Sequence, residues 1–418
     1  MKKFLCFAIL ILLVFPLSCG RKTTRVDTVP PSCEITFPSD NYTVPADSNA
    51  IEIRVDAEDN EKVARVEFYI DSELSYTLTQ SPWRYRWVTV LYDDSSSHTI
   101  FAVAYDEAEN FDSSSTVDVL VRVKPGLHFV GQYTASVGAH DLFVDDHFLY
   151  VAYENQGIWI LDVQNPAYPQ PIGQYNTDGK ANGIFVSGSH AYIADGTNGL
   201  QIADVTTPSD PQQAGWFSAA GQAKNVFVSG SYAYVAFGLG GLQIVDVSQP
   251  QNPDSAGRFL TQESFEDVYV SGSYAYLANG SRGIQILDVS NPSSPESVGY
   301  SQTYGFAQKI FVQGNYAYVA AKAEGLYIFD ISNPKNPYQV GNYDVTSIAY
   351  GVFAKDTLAY VAYGNEGLHI LNVKNPQSPK FVAKYKIENV NCYEVFVHNK
   401  LIFLAYDTSV LILRFTSK

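Results

Sequence analysis

The chain has 418 residues, enough for more than one hydrophobic core, so a single small domain is excluded. Its 30 Tyr, 24 Phe, 29 Gly and 20 Pro, with a single Met, make the composition of a β protein and argue against long helices. With 27 Lys and Arg against 43 Asp and Glu, the chain repels phosphate backbones, which excludes nucleic acid as a partner.

The chain opens with an address. Lys2 and Lys3 precede an apolar run from Phe4 to Val14, and "FPLSCG" follows, with small Ser18 just before Cys19. A span this short, with positive charge before it and a small residue at its end, reads as a secretion signal over residues 1–18 rather than a membrane helix. The segment resembles a bacterial lipoprotein signal with a lipobox, with Pro16 where that family usually has Leu. The resemblance implies that Cys19 becomes the acylated first residue, making the membrane a partner through a lipid anchor. Several acyl chains, at about 0.8 kcal/mol per buried methylene, make such an anchor durable. Gly20 rather than Asp after the cysteine implies the outer membrane of the cell envelope. Cys33 and Cys392 lie in different predicted domains and read as small buried hydrophobes, not as a disulfide or a metal pair.

Residues 19–29 are polar and aperiodic, a tether. From 30 to 124 the text turns to short alternating strands, "AIEIRVDA", "VARVEFYID", "YRWVTV", "HTIFAVAYD" and "STVDVLVRV", separated by Asp, Asn, Ser and Pro turns. With Trp83 and Trp87 as buried aromatics and no helical period, this predicts a β-sandwich. "VEFYID…PWRYRW…HTIFAVAYDEAEN" resembles a bacterial immunoglobulin-like domain, which implies a spacer role. Two acidic turns of this segment, Asp56, Glu58 and Asp59 in one and Asp106, Glu109 and Asn110 in the other, offer the oxygens calcium needs. Asp56, Asp59 and Asp106 are the candidate ligands, although no single calcium loop is matched.

From 127 to 418 the chain is periodic. Gly157, Gly199, Gly241, Gly283, Gly325 and Gly367 stand 42 residues apart, as do Tyr150, Tyr192, Tyr234, Tyr276, Tyr318 and Tyr360. A third series runs Gly131, Gly173, Gly215, Gly257, Gly299, Gly341 and then Ala383. Each unit holds four strand-like pieces, such as "NVFVSG", "YAYVAF", "GLQIVDV" and "AGRF", whose apolar faces need a neighbour on both sides. A ring of such sheets covers every face, so the fold class is all-β, a seven-bladed β-propeller preceded by the immunoglobulin-like sandwich. The periodic region begins with an isolated fourth-type strand, "FVGQY", and ends after a third-type strand, "VLILRF", which predicts that the first strand closes the last blade. "GLQIVDV", "GIQILDV" and "GLYIFDI" resemble the LVIVD repeat family, whose propellers occur on microbial cell-surface proteins and imply no common activity.

Positions shared by every unit serve the unit. The glycines before the third strand supply a positive-φ turn, and Asp162, Asp204, Asp246, Asp288, Asp330 and Asn372 precede turns whose backbone a short acceptor can bind. The repeated tyrosines are core. Function is expected where equivalent positions differ, at the channel mouth. One column reads His140, Asn182, Lys224, Glu266, Gln308, Tyr350 and Cys392; the next reads Asp141, Gly183, Asn225, Asp267, Lys309, Gly351 and Tyr393. From these, His140, Asp141, Lys224, Glu266, Asp267 and Tyr350 are the candidate ligand-binding residues. No zinc-protease, hydrolase, Walker or Cys-x-x-Cys motif appears, and no catalytic residue or cofactor is expected. The reading is a lipid-anchored envelope binding protein for a protein or glycan partner. The alternatives are an envelope hydrolase or lyase using carboxylates and His at the mouth, and an architectural subunit of an envelope complex.

Overall fold

The structure is a computed structural model that describes residues 27–260 and 262–417. The signal, Cys19 and most of the tether lie outside the described residues. Among the described residues no helix is long and apolar enough to cross a membrane.

The chain divides into two compact units, the first built from the residues up to Thr43 with Glu52–Trp87 and Ser97–Leu120. The second takes Val44–Ile51, Val88–Ser96 and Val121–Lys418. In the first region a three-stranded sheet pairs Ser32–Phe37, Ile51–Glu58 and Arg84–Trp87. A larger sheet has Val63–Ile70 and Ser96–Asp106 at its centre. Alternation puts one face of each sheet inward: Ile53, Phe68, Ile100 and Trp87 are essentially inaccessible, and Trp83 and Tyr85 are buried beside them. The expected strand "YRWVTV" is shorter than its sequence pattern. It stops at Trp87, and Thr89–Leu91 forms a single 3-10 turn.

The second unit holds seven four-stranded antiparallel sheets. In the fourth the strands are Asp267–Ser271, Tyr274–Ala278, Ile284–Asp288 and Glu296–Ser301, and the other blades follow the same plan. The first strand of each blade packs against the first strand of the next, and Cys392–His398 of the seventh packs against Ala139–Asp145 of the first. The ring is closed. Closure is made by Gly126–Thr134, which pairs antiparallel with Ser409–Thr416 along its whole length and supplies the seventh blade's fourth strand.

Adjacent blades share continuous apolar interfaces. Tyr234, Leu242 and Ile244 of the third meet Val268, Val270 and Leu277 of the fourth, with Ala236 and Ala275 leaving room for the approach. The glycines of the third periodic series explain themselves by what a side chain would strike. A Cβ at Gly173 would lie 2.0 Å from the carbonyl oxygen of Pro208 in the next blade's turn, and at Gly341 equally close to that of Pro376. Ala383 belongs to the sixth blade, whose neighbour is the seventh. There the fourth strand is Gly126–Thr134 and no turn joins it to the third, so no proline turn presses on Ala383 and a methyl group fits.

Candidate functional site

Each blade contributes its first strand to the central channel, and three successive levels of side chains can be followed round it. At the mouth stand His140, Asn182, Lys224, Glu266, Gln308, Tyr350 and Tyr393, all half-buried. These residues turn to their own surroundings. His140 Nε2 lies 2.7 Å from Glu154 Oε1, which Lys180 Nζ also approaches at 3.1 Å. His140 first and Lys180 second hold the Glu154 carboxyl below the usual carboxylate range. Lys224 donates to Gln222 Oε1 at 3.3 Å, Tyr350 and Tyr393 meet edge to face at 5.1 Å, and Glu266 has no ion pair among the described residues.

The seventh member of this column is Tyr393, not Cys392, and that of the next level is Glu394, not Tyr393. The cause is a bulge between Cys392 and Glu394 that inserts one residue into the pairing. Cys392 instead bridges to Gly364, as the buried Ala223, Ala307 and Ala349 bridge to Gly196, Gly280 and Lys322. It is a fully buried free thiol, and Cys33 is a buried one.

The second level is the charged one. Asp141, Asp267 and Glu394 are 4%, 2% and 5% exposed, and Lys309 lies among them. Lys309 Nζ reaches Asp141 Oδ1 at 3.0 Å and Glu394 Oε2 at 2.8 Å. The remaining oxygens are tied to main chain: Asp141 Oδ2 accepts from Ile184 N at 2.9 Å, Asp267 Oδ2 from Ile310 N at 2.8 Å, and Glu394 Oε1 from Val395 N at 2.9 Å. Asn225, in the same level, accepts from Val226 N at 2.7 Å. The two glycines of the level make room for their neighbours. A Cβ on Gly183 would sit 2.6 Å from Asn225 Oδ1, and one on Gly351 would sit 2.6 Å from Glu394 Oε1.

Burial sets the electrostatics of this level. It pushes the Asp267 carboxyl up to about 6, against the pull of Lys309 and with a further push from Asp141. It raises Glu394 in the same way, opposed chiefly by Lys309. Burial alone would lower Lys309, but Asp141, Glu394 and Asp267 outweigh it and hold the ammonium well above its usual value. The level therefore keeps a charged lysine and at least one carboxyl that takes up a proton near neutrality.

The third level is apolar. Phe143, Phe185, Phe227, Tyr269, Phe311, Phe353 and Phe396 form an unbroken ring, each touching the next at centroid distances from 4.4 to 5.2 Å, and Phe396 returning to Phe143. Between the charged level and this ring lies a cavity of about 320 Å³, lined by Asp141, Asn225, Asp267, Lys309, Glu394 and the seven rings.

Of the residues expected at the site, Asp141 and Asp267 enter the cavity; His140, Lys224, Glu266 and Tyr350 stay at the mouth and do not line it. Lys309 and Asn225 belong to a column legible in the sequence, and Gly183 and Gly351 in that column signalled that something large stands beside them. Glu394 was hidden by the inserted residue.

The repeat-invariant acids are turn-formers. Asp162, Asp204, Asp246, Asp288, Asp330 and Asn372 each accept the backbone N–H two residues on. In the first unit, Asp59 and Asp106 come within 4.8 Å of Asp27, whereas Asp56 is not in the group because it is exposed on its strand, opposite Glu34. Polar hydrogens already address most of these oxygens: Asp106 accepts from Ala108 N, Asn110 N and Asn110 Nδ2, and Asp59 Oδ2 from Glu61 N and Lys62 N. Glu109 is taken by Arg65 through two 2.8 Å bonds.

Comparison with known proteins agrees with this geometry. Residues 31–102 match the bacterial Ig domain family. No curated protein matches. Among solved structures, the β-propeller domain of Cps50 (Swd1) from Myceliophteria thermophila is 11% identical, with a TM-score of 0.58, covering 69% of this chain and 100% of that one. The computationally designed protein Ika8 is 6% identical, with a TM-score of 0.53, covering 78% of this chain and 94% of that one. These likenesses show the fold alone. Residues 138–177, 178–218, 220–261, 264–303, 304–345 and 348–387 each match the LVIVD repeat, and the chain belongs to that family.

Proposed function

We propose that this chain is a lipid-anchored binding protein of the bacterial cell envelope, holding a protein or glycan partner at the mouth of its propeller channel. The observation that carries the reading is the charged level: seven otherwise equivalent blades place Asp, Gly, Asn, Asp, Lys, Gly and Glu at one position. A ligand sees one asymmetric site only where the repeat is broken, and buried charge costs too much to be scattered there without use. Exposed aromatics on the outer strands and loops, Trp216, Tyr300 and Tyr304 at 58%, 69% and 92%, offer a partner further contact area. The anchor rests on Lys2, Lys3, the apolar run and Ser18 before Cys19.

A photo-crosslinking residue placed at Lys224 or Glu266, compared with one at Ser187 at the far end of its strand, tests the docking face in producing cells. Adducts confined to the first two support the reading, and adducts confined to Ser187 would overturn it. Labelling with an alkyne fatty acid should mark the native chain and spare Cys19→Ala. A hydrolase or lyase reading draws on one observation, the carboxyl of Asp267 raised by burial to about 6, closer to neutrality than an ordinary carboxylate. It requires turnover that Asp267→Asn abolishes.

A further inference from the structure

The charged level is unevenly satisfied. Lys309 spends its ammonium on Asp141 and Glu394, so one side of the ring is internally paired. On the other side stand Asp267, Asn225 and Gly183. Asp267 takes its hydrogen bonds from main chain, at Ile310 and Val268, and among the described residues no side chain donates to it. Asn225 is 8% exposed and uses only Oδ1, toward Val226 N; its Nδ2 donates to nothing among the described residues. Asn225 lines the cavity, so an acceptor on a guest can take the amide protons that no protein acceptor uses. Gly183, with no side chain, lets Asn225 pack directly against its backbone, where a Cβ would come within 2.6 Å of Oδ1.

Two constraints define what would complete the site. Three carboxyl groups face a single ammonium here, and with one of them protonated the level still carries more negative than positive charge, so a guest that restores balance is positively charged. It is not a metal ion. The group of acids that brings its oxygens within 4.8 Å of one another is Asp27, Asp59 and Asp106, while in the channel a lysine separates the carboxylates. The guest must also bring an oxygen for Asn225 Nδ2, close to its charge, because Asn225 and Asp267 occupy equivalent positions in neighbouring blades.

We propose that the channel binds a vicinal amino alcohol, its ammonium donating to Asp267 and its hydroxyl oxygen accepting from Asn225 Nδ2, with the carbon skeleton against the aromatic ring. This rests on the reading of the channel as a binding site. The chemistry comes from two sources, a 2-amino sugar or an ethanolamine head group, and the cavity of about 320 Å³ admits either.

Isothermal titration of the whole protein at neutral pH with glucosamine and with ethanolamine tests it, with glucose and N-acetylglucosamine as uncharged controls. At least one amino alcohol binds, the tighter of the two identifies the source, and both controls bind at least about tenfold more weakly. Asp267→Asn weakens the amino alcohol by about tenfold or more, and Asn225→Ala by several-fold. Asp267→Asn copies a residue already present at the equivalent place in the third blade, and an unchanged melting profile verifies its fold. Absence of binding by both amino alcohols, controls that bind as well, or a folded Asp267→Asn that binds as tightly as the native chain would overturn the proposal. If the probes fail while crosslinks still form at Lys224 and Glu266, this inference falls and the docking face stands. If the probes bind and crosslinks form only at Ser187, the reverse holds.

Discussion

Two levels of one channel, two residues apart along the same seven strands, obey opposite rules. At the inner level every blade supplies an aromatic ring, and the rings meet all the way round. At the level above, no two adjacent blades supply the same residue. The difference teaches how a repeat protein divides labour: identity where seven sheets must close on one another, divergence where one asymmetric object is to be held.

That division can be broken from either side. The largest effect is expected from Lys309→Met, which leaves Asp141 and Glu394 buried without their cation and costs about 3–5 kcal/mol at pH 8. Denaturant midpoints should recover as pH falls and the orphaned carboxylates protonate. Phe227→Ala opens a hole in the aromatic ring and costs about 3–4 kcal/mol, whereas Phe227→Tyr costs under about 1 kcal/mol, since Tyr269 fills that place next door.

Asp267 sharpens the comparison through pH. Its carboxyl is raised in the folded state to about 6, so its stabilising contribution is complete at acid pH below the unfolded value. That contribution is lost as pH rises from about 4 through 6, a change of up to about 3 kcal/mol. Asp267→Asn should remove this component, so that the mutant gains on the native chain as pH rises; identical pH profiles of the two melting curves would refute it. Gly183→Ala follows, where a new Cβ at 2.6 Å from Asn225 Oδ1 displaces that amide at a cost of about 1–3 kcal/mol. Ala at the seventh place of the other glycine series, Ala383 of the sixth blade, is already tolerated because no proline turn faces it.

Much of the fold was legible because the repeat states it many times over. The 42-residue spacing, the split last unit and the turn-forming acids all follow from local pattern, and each acid is bonded to the backbone as its neighbours are. The site was only half legible. Asp141 and Asp267 stood in a column the period exposes, but Glu394 is displaced by one bulged residue, and a slip of one exchanges the two faces of a strand. Cys392 carried the correcting signal, since it matches the small buried residues that precede the mouth in other blades. That His140 would turn to Glu154 could not be read from spacing, because Glu154 lies in the loop after the second strand. The acids of the first unit were likewise half legible: Asp59 and Asp106 come together, but with Asp27, from a stretch with no periodicity at all, in place of Asp56.

The borrowed strand that completes the seventh blade bears on how the molecule is made. Thr134 and Ser409, which touch through their hydroxyls, are 275 residues apart in the chain, so the last sheet cannot assemble until Ser409–Thr416 has been made. Up to that moment a nascent molecule carries raw, hydrogen-bond-hungry borders at both extremities. Loss of Ser409–Thr416 would leave those borders permanently open, and such chains should be captured by proteases or by one another.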